Sequence, residues 1–339
     1  MALQPEPALS VVAVTRDHHR TLRPIVAALR SQTIADRIEL VIAAPPGTAA
    51  FGPPPDPAGF HSVRVVEVGP VTNRGRAAAP AVLAATAPIV ALTENHCFPT
   101  SHWGERLVAS HAQGWAGVGP AVGNANPESR LSQTMHAFGY GQFPRSGPPG
   151  PVDEIALHNS SFRREVLPAE LETLEDLLAD ERRLHRALRT QGHTLYFDPA
   201  LVKWHINEAT WPQFAAMSYQ SGRRYGGTRS ANWPVWRRAL YTAAAAALSV
   251  PIAKNAWTKL PSAGGIRRDL PLVATIWCYA LLQALGEAGS YLRGAREDFP
   301  FVEEDEFLIR ERLGGRPLTR PEVAALVALL DPVDSESSR

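Results

Sequence analysis

Four short apolar runs, with helical stripes between them, decide what this chain can become. LSVVAV (9–14), IELVIAA (38–44), VRVVEV (63–68) and PIVAL (88–92) are rich in β-branched residues, the composition of strands covered on both faces. Between the first two, HRTLRPIVAALRSQ puts Leu22, Ile25, Val26 and Leu29 at i, i+3, i+4 and i+7, one apolar stripe of an amphipathic helix. A second helix is predicted over 79–85. Strand, helix, strand, strand, helix, strand is the order of an α/β fold with a mixed, mostly parallel sheet flanked by helices.

Composition narrows the function. The chain has 339 residues, 45% of them hydrophobic, enough for one large domain or a domain with an appendage. Its net charge is +1, which excludes the basic field that nucleic-acid binding uses. After the first strand comes TRDHHRTL, without the glycines that let backbone amides approach a pyrophosphate, and no Gly-Lys-Ser/Thr phosphate loop follows. Cys97 and Cys278 stand far apart with no metal-ligand spacing, so a reducing, cytoplasmic setting is expected. The opening MALQPEPALS lacks the basic start and apolar run of a secretory leader, and export is not expected.

The chemistry concentrates after the fourth run. IVALTENHCFP places Glu94, Asn95, His96 and Cys97 consecutively, at the strand end where open α/β sheets keep their sites. Further on, HNSSFRR (158–164) reads as a polar loop after a strand. TLEDLLADERRLHRALRTQG reads as one long helix closed by Gly192, with a strand over 194–197. Leu174, Leu177, Leu178, Leu184 and Leu188 form that helix's apolar stripe, and Glu181 falls within it. A carboxylate on a buried face is costly unless it is paired or lines a cavity. Glu181 therefore either meets an arginine such as Arg163 or Arg164 or has a function.

Beyond His205 the character changes. Residues 237–254 and 269–287 read as strongly apolar helices flanked by Arg237, Arg238, Lys254, Lys259, Arg267 and Arg268. No charge lies between Leu270 and Gly286, slightly short of the roughly 20 residues that span a bilayer. The expectation is a helical region embedded in one membrane face with its cationic ends on anionic head groups; the alternative is a hairpin buried against the rest of the protein. The boundaries read as a domain over 1–210, a C-terminal helical, membrane-associated region over 211–295, and a tail over 296–339 with a short helix and a disordered end.

Four pieces in order, LSVVAVTRDHHRTLRPIVAALRSQTIADRIELVIAAPPG, NRGRAAAPAVLAATAPIVALTENHCFP, HNSSFRREVL and LADERRLHRALRTQGHTLYFDPALVKWHIN, resemble the family 2 glycosyltransferases of the GT-A fold. The resemblance runs over about residues 8–207, and LGEAGSYLRG (285–294) is similar to a helix that ends one branch of the family. It implies an inverting transfer of a sugar from a nucleotide-diphosphate donor to an acceptor hydroxyl. In its terms Thr15 and Arg16 lie near the nucleotide base, and Asn73, Gly75 and Arg76 help hold the donor. Glu94, Asn95 and His96 stand where the family carries its Asp-x-Asp motif, Glu94 and Asn95 facing the donor. Glu94 and His96, two apart at a strand end, can ligate a divalent cation, Mn²⁺ or Mg²⁺, with His205 as the third ligand the resemblance implies, and the imidazoles favour Mn²⁺ or a later metal; the alternative is that His96 hydrogen-bonds the substrate or the backbone. His158 and Asn159 become candidates for donor or acceptor hydroxyls, and Glu181, beside Asp180, for the general base.

The sequence also departs from the family. Ala43 and Ala44 replace the acidic end of strand two, Asn95 replaces a metal-binding carboxylate, and Arg224 in QSGRRYGG (220–227) replaces the tryptophan of a processive element. Processive synthesis is not expected. The expected partners are a nucleotide-sugar donor, a lipid-linked or small-molecule acceptor and a membrane surface at the inner face, with no nucleic acid. The alternative is a catalytically degenerate relative that binds a sugar nucleotide or a partner protein. A metallohydrolase would need a denser His/Asp spacing.

Overall fold

The structure is a computed structural model that describes residues 6–15, 22–48, 53–207, 210–260 and 269–293; Arg16 and the expected tail over 296–339 lie outside them. The alternation in the sequence is realised as β1 (Leu9–Val14), α1 (Arg23–Arg30), β2 (Ile38–Ala44), β3 (Ser62–Glu67), α2 (Arg74–Ala84) and β4 (Ile89–Thr93). β1 pairs in parallel with β2 and with β4, and β2 with β3. Every residue of β1, β2 and β4 is buried, as two covered faces require. β3 is only half buried because it ends the sheet. The α1 stripe buries Ile25, Val26 and Leu29, with proline in the first turn where no backbone N–H is needed. Helix α2 starts earlier than predicted, at Arg74, because Asn73 caps it by accepting from the Arg76 N–H at 3.0 Å.

The same sheet continues in the antiparallel sense. β5 (Cys97–Pro99), β6 (Gly117–Asn124), β7 (Gly150–Val152), β8 (Ser161–Arg163) and β9 (Leu195–His205) complete it, in the order β3-β2-β1-β4-β8-β6-β9-β5, with β7 on β9. β8 joins the halves by pairing antiparallel to β4 and β6. The strand expected over 194–197 extends to His205, since β9 runs along both β5 and β7. Helix α3 (Trp103–His111) follows β5.

The helix expected to carry Glu181 in its middle is two helices, with α4 (Arg130–Gly139) preceding them: α5 (Leu171–Leu178) and α6 (Glu181–Thr190). Asp180 breaks the run. Its backbone is extended and its carboxylate accepts from the Arg182 N–H at 3.3 Å and holds the Arg182 guanidinium at 2.8 Å, so it caps a new helix instead of continuing the old one. The break is fixed from below by α2. The Asn73 amide donates to the Ala179 carbonyl at 3.2 Å, and a Cβ at Gly75 would collide with the Leu178 carbonyl, so only glycine admits this approach.

A second compact unit comprises residues 124–142 and, among the described residues, 206–293. It gathers α4 with α7 (Trp211–Ser230), α8 (Val235–Ala243), α9 (Ala245–Lys259) and α10 (Leu270–Arg293). Ala137, Ala253, Ala256, Leu272, Ile276 and Ala280 form one core cluster, and Leu131, Phe214 and Tyr279 another. Helices α7 and α10 cross at glycines: a Cβ at Gly222 would meet the Gln283 carbonyl and one at Gly286 the Tyr219 carbonyl. Arg130 grips Asp269 at 2.6 and 3.0 Å, and Asp269 caps α10 through the Leu272 N–H at 3.1 Å. By length and composition α10 could cross a membrane, and 44% of its most apolar window is buried within the protein.

Candidate active site

Parallel pairing puts the ends of β1 and β4 at one edge of the sheet, so Thr15 and the turn Glu94–His96 share the edge where such folds bind ligands. Thr15 is buried there, its N–H on the Ala43 carbonyl at 2.9 Å. After the turn, β5 runs antiparallel to β9 with Cys97 opposite His205. That register carries His205, more than a hundred residues away in sequence, back to the turn. Its Nε2 lies 3.5 Å from a Glu94 carboxylate oxygen, and the His96 and His205 rings meet edge-on at 4.6 Å. One ligand atom from each of Glu94, His96 and His205 lies within 4.8 Å of the others, and all three residues are buried. The three can hold one divalent ion, and two imidazoles with one carboxylate suit Mn²⁺ or a later metal better than Mg²⁺.

Asn95 braces the neighbouring ring: its Oδ1 lies 2.7 Å from His96 Nδ1, a bond that fixes an imidazole's tautomer. Glu94 is braced in the same way: Asn159 donates to it at 2.5 Å. Asn159 is oriented by Lys203, whose Nζ reaches Asn159 Oδ1 at 2.7 Å and Thr93 Oγ1 at 2.8 Å and lies 5.4 Å from the centre of the Trp103 ring. Burial pushes the Glu94 carboxyl up, but the hydrogen bond from His205 and the charges of His96, His205 and Arg74 outweigh it and hold the group well below the usual carboxylate range. Burial drives the Lys203 ammonium down and the Cys97 thiol up to about 12, so Cys97 packs as an inert neutral residue.

Glu181, the first residue of α6, is 1% exposed. Neither Arg163 nor Arg164 is its partner: Arg163 pairs with Glu165 at 3.2 Å, and Arg164 donates to the Ala87 carbonyl at 3.1 Å. The carboxylate meets His158 instead. The His158 N–H donates to both carboxylate oxygens at 2.9 Å, and its Nδ1 lies 2.6 Å from Oε1. Burial lowers the His158 pKa, but the charge and hydrogen bond of Glu181, helped by Glu94, outweigh it and leave it raised. Because His158 and Asn159 are consecutive, the Glu181 pair and the Glu94 cluster are joined through one stretch of loop.

The remaining candidates scatter. Asn73 holds the helix junction, and Arg76 turns outward to Asp176 at 2.8 Å, both half exposed. The cation beside the cluster is Arg74, 3% exposed, whose charge acts on Glu94, His158 and Lys203. Sequence reasoning passed over Arg74 and Lys203. Lys203 had a usable signal, since it lies two before His205 and so on the same strand face.

No protein-family model and no curated protein sequence matches the chain. Among solved structures it is similar to the mannosyltransferase PcManGT from Pyrobaculum calidifontis in complex with GDP-Man and Mn²⁺, at 15% identity over 98% of this chain and 89% of that one, with a TM-score of 0.45. It is also similar to TarS from S. aureus, at 12% identity over 65% of this chain and 39% of that one, with a TM-score of 0.39.

Proposed function

We propose that this protein is a glycosyltransferase of the family 2, GT-A type, moving a sugar from a nucleotide diphosphate to an acceptor hydroxyl with inversion at the anomeric carbon. The observation that carries the reading is the linkage of two buried carboxylates, Glu94 and Glu181, through the consecutive residues Asn159 and His158. Glu94 sits among imidazoles and Glu181 sits on a histidine, and His158–Asn159 connects them. Sugar transfer needs both poles: relief of the negative charge on the departing diphosphate, and a base for the acceptor proton. Glu94, His96 and His205 would hold a Mn²⁺ or Mg²⁺ ion, which supplies that charge relief when bound. Arg74 adds a fixed positive charge, Asn95 and Asn159 keep the ligands oriented, and Glu181 is the source of basicity for the acceptor. Displacement assisted from the side opposite the leaving group is what inverts the configuration. Thr15, Arg16 and Asn73 remain proposed donor contacts, and Arg76 would join them by exchanging its exposed pair with Asp176 for the donor.

For the acceptor we infer a lipid-linked molecule met at a membrane face. Among the described residues all but two of the exposed large hydrophobic side chains belong to the second unit, with Val235, Trp236, Leu270 and Leu292 more than two-thirds exposed, an apolar display suited to the interface of a bilayer.

The test is heat stabilisation by a panel of nucleotide sugars, with and without Mn²⁺, followed by turnover of the donor. A donor at 100 times its Kd should add roughly 2.7 kcal/mol, and Glu181→Gln should bind it without turning it over. Binding without turnover by the native chain would favour a sugar-nucleotide-binding protein, the reading that Ala43 and Ala44 at the end of β2 motivate. No binding by any donor would defeat both.

A further inference from the structure

Glu181 is badly placed to touch an acceptor itself. Its side chain is fully buried, and both carboxylate oxygens are engaged by His158, through the backbone N–H at 2.9 Å and through Nδ1 at 2.6 Å. The exposed member of the pair is the imidazole, 20% open. His158 also has φ +62°, and among the described residues no other non-glycine has a positive φ. That backbone is uncommon outside glycine and costs on the order of 1 kcal/mol or more. Here it folds the amide and the ring of one residue back onto one carboxylate, a geometry no extended backbone provides. The next residue, Asn159, is bonded to Glu94, so the imidazole stands at the junction of the two poles.

We propose that His158, through Nε2, is the catalytic group that takes the acceptor proton, with Glu181 as its positioning and charge-balancing partner; the inference rests on the reading of this protein as a sugar transferase. As the acceptor oxygen bonds to the anomeric carbon, its proton passes to Nε2. The carbon–oxygen bond to the diphosphate breaks, and its electron pair leaves with the nucleoside diphosphate. Nδ1–H stays on Glu181, whose charge balances the imidazolium. Water then takes the proton and restores the neutral ring. Glu181 holds the ring directly, and its charge and that of Glu94 favour the protonated form while that of Arg74 opposes it. Transfer should therefore rise as pH climbs through a pKa above the ordinary histidine value.

Two measurements test the proposal. The first follows hydrolysis of GDP-mannose, UDP-glucose and UDP-N-acetylglucosamine with Mn²⁺, water serving as acceptor. Asparagine and glycine tolerate positive φ, so His158→Asn and His158→Gly keep the backbone. Each should lower kcat about 10²- to 10⁴-fold with KM for the donor little changed, and added imidazole should restore turnover to His158→Gly. If His158→Asn works within about threefold of the native protein while Glu181→Gln does not work, His158 is not the base and the transferase reading stands. The second needs no substrate: long-range ¹H–¹⁵N spectra should show His158 protonated at Nδ1 and titrating at Nε2, with its pKa falling in Glu181→Gln. Titration at Nδ1, or a pKa indifferent to Glu181→Gln, overturns the pairing whatever the donor proves to be.

Discussion

Glu39 opens β2 at the amino edge of the sheet, and Glu94 follows β4 at the carboxyl edge. Both are buried, at 1% and 3% exposure, yet they keep different company. Glu39 accepts from Ser10 Oγ at 2.5 Å and from the Thr86 N–H and hydroxyl at 2.8 and 3.0 Å, with Arg64 at 3.4 Å. None of those partners changes protonation near neutral pH. Glu94 has two imidazoles and an amide. One edge is tied off by groups with a single state, and the other is built from groups that can exchange a proton for a metal. A buried acid is thus a poor sign of function on its own; the convertibility of its partners carries the information.

The largest effect should come from the convertible edge. Glu94→Ala should cost about 10³-fold or more in donor turnover, the scale of losing a preorganised electrostatic stabiliser, and abolish heat stabilisation by Mn²⁺. EDTA should reproduce the loss in the native protein. Glu39→Ala should instead lower unfolding stability by about 2 kcal/mol, because the buried Ser10 hydroxyl would lose its acceptor and Thr86 its anchor. Urea denaturation measures it, and turnover per folded molecule should stay native. If Glu39→Ala removes turnover without moving the urea midpoint, the contrast between the edges is wrong. Asn95→Ala tests a subtler part of the site. As the brace on His96 Nδ1, Asn95 should be worth about 10- to 100-fold in Mn²⁺ affinity, with turnover recovering at saturating Mn²⁺. Recovery would mark it as an orienting group, and a loss that saturation cannot repair would mark it as a donor contact.

The strands and the Glu94 corner were legible because local pattern decides them: β-branched runs make covered strands, and polar residues after a strand mark its ligand-binding end. What pattern could not show is which distant groups converge. Lys203 reads as an ordinary strand cation until the β5–β9 register puts it on Asn159. Glu181 was found on an apolar stripe, but its partner was missed, because His158 reaches it only through a backbone conformation that propensity gives to glycine. The unbroken helix was expected for a similar reason. Leucine spacing runs straight through Ala179–Asp180, and the break is imposed by contact with Asn73 and Gly75, about a hundred residues earlier. QSGRRYGG is explained by packing, since Gly222 and Gly226 lie where α7 approaches α10.

The smallest effect at neutral pH concerns His185, one helical turn beyond Glu181. Its ring is buried 6.0 Å from that of Phe162, and among the described residues neither ring nitrogen has a hydrogen-bond partner. Burial pulls its pKa down to about 4, against the opposing charges of Glu181 and Asp180. In an unfolded chain the value is about 6.5. The folded protein therefore holds the neutral ring: its contribution is complete above pH 6.5 and is lost as pH falls toward 4, by up to about 1.4 kcal/mol per unit. His111, also pulled down to about 4 mainly by burial, adds a similar slope. His185→Leu should change stability by about 1 kcal/mol or less at pH 7 and remove roughly half of the decline between pH 6.5 and 4. Urea midpoints at pH 7, 6 and 5 measure both. An unchanged slope in His185→Leu would mean that the ring is charged and solvated in the folded protein, and the region beneath Glu181 would then belong with the convertible edge.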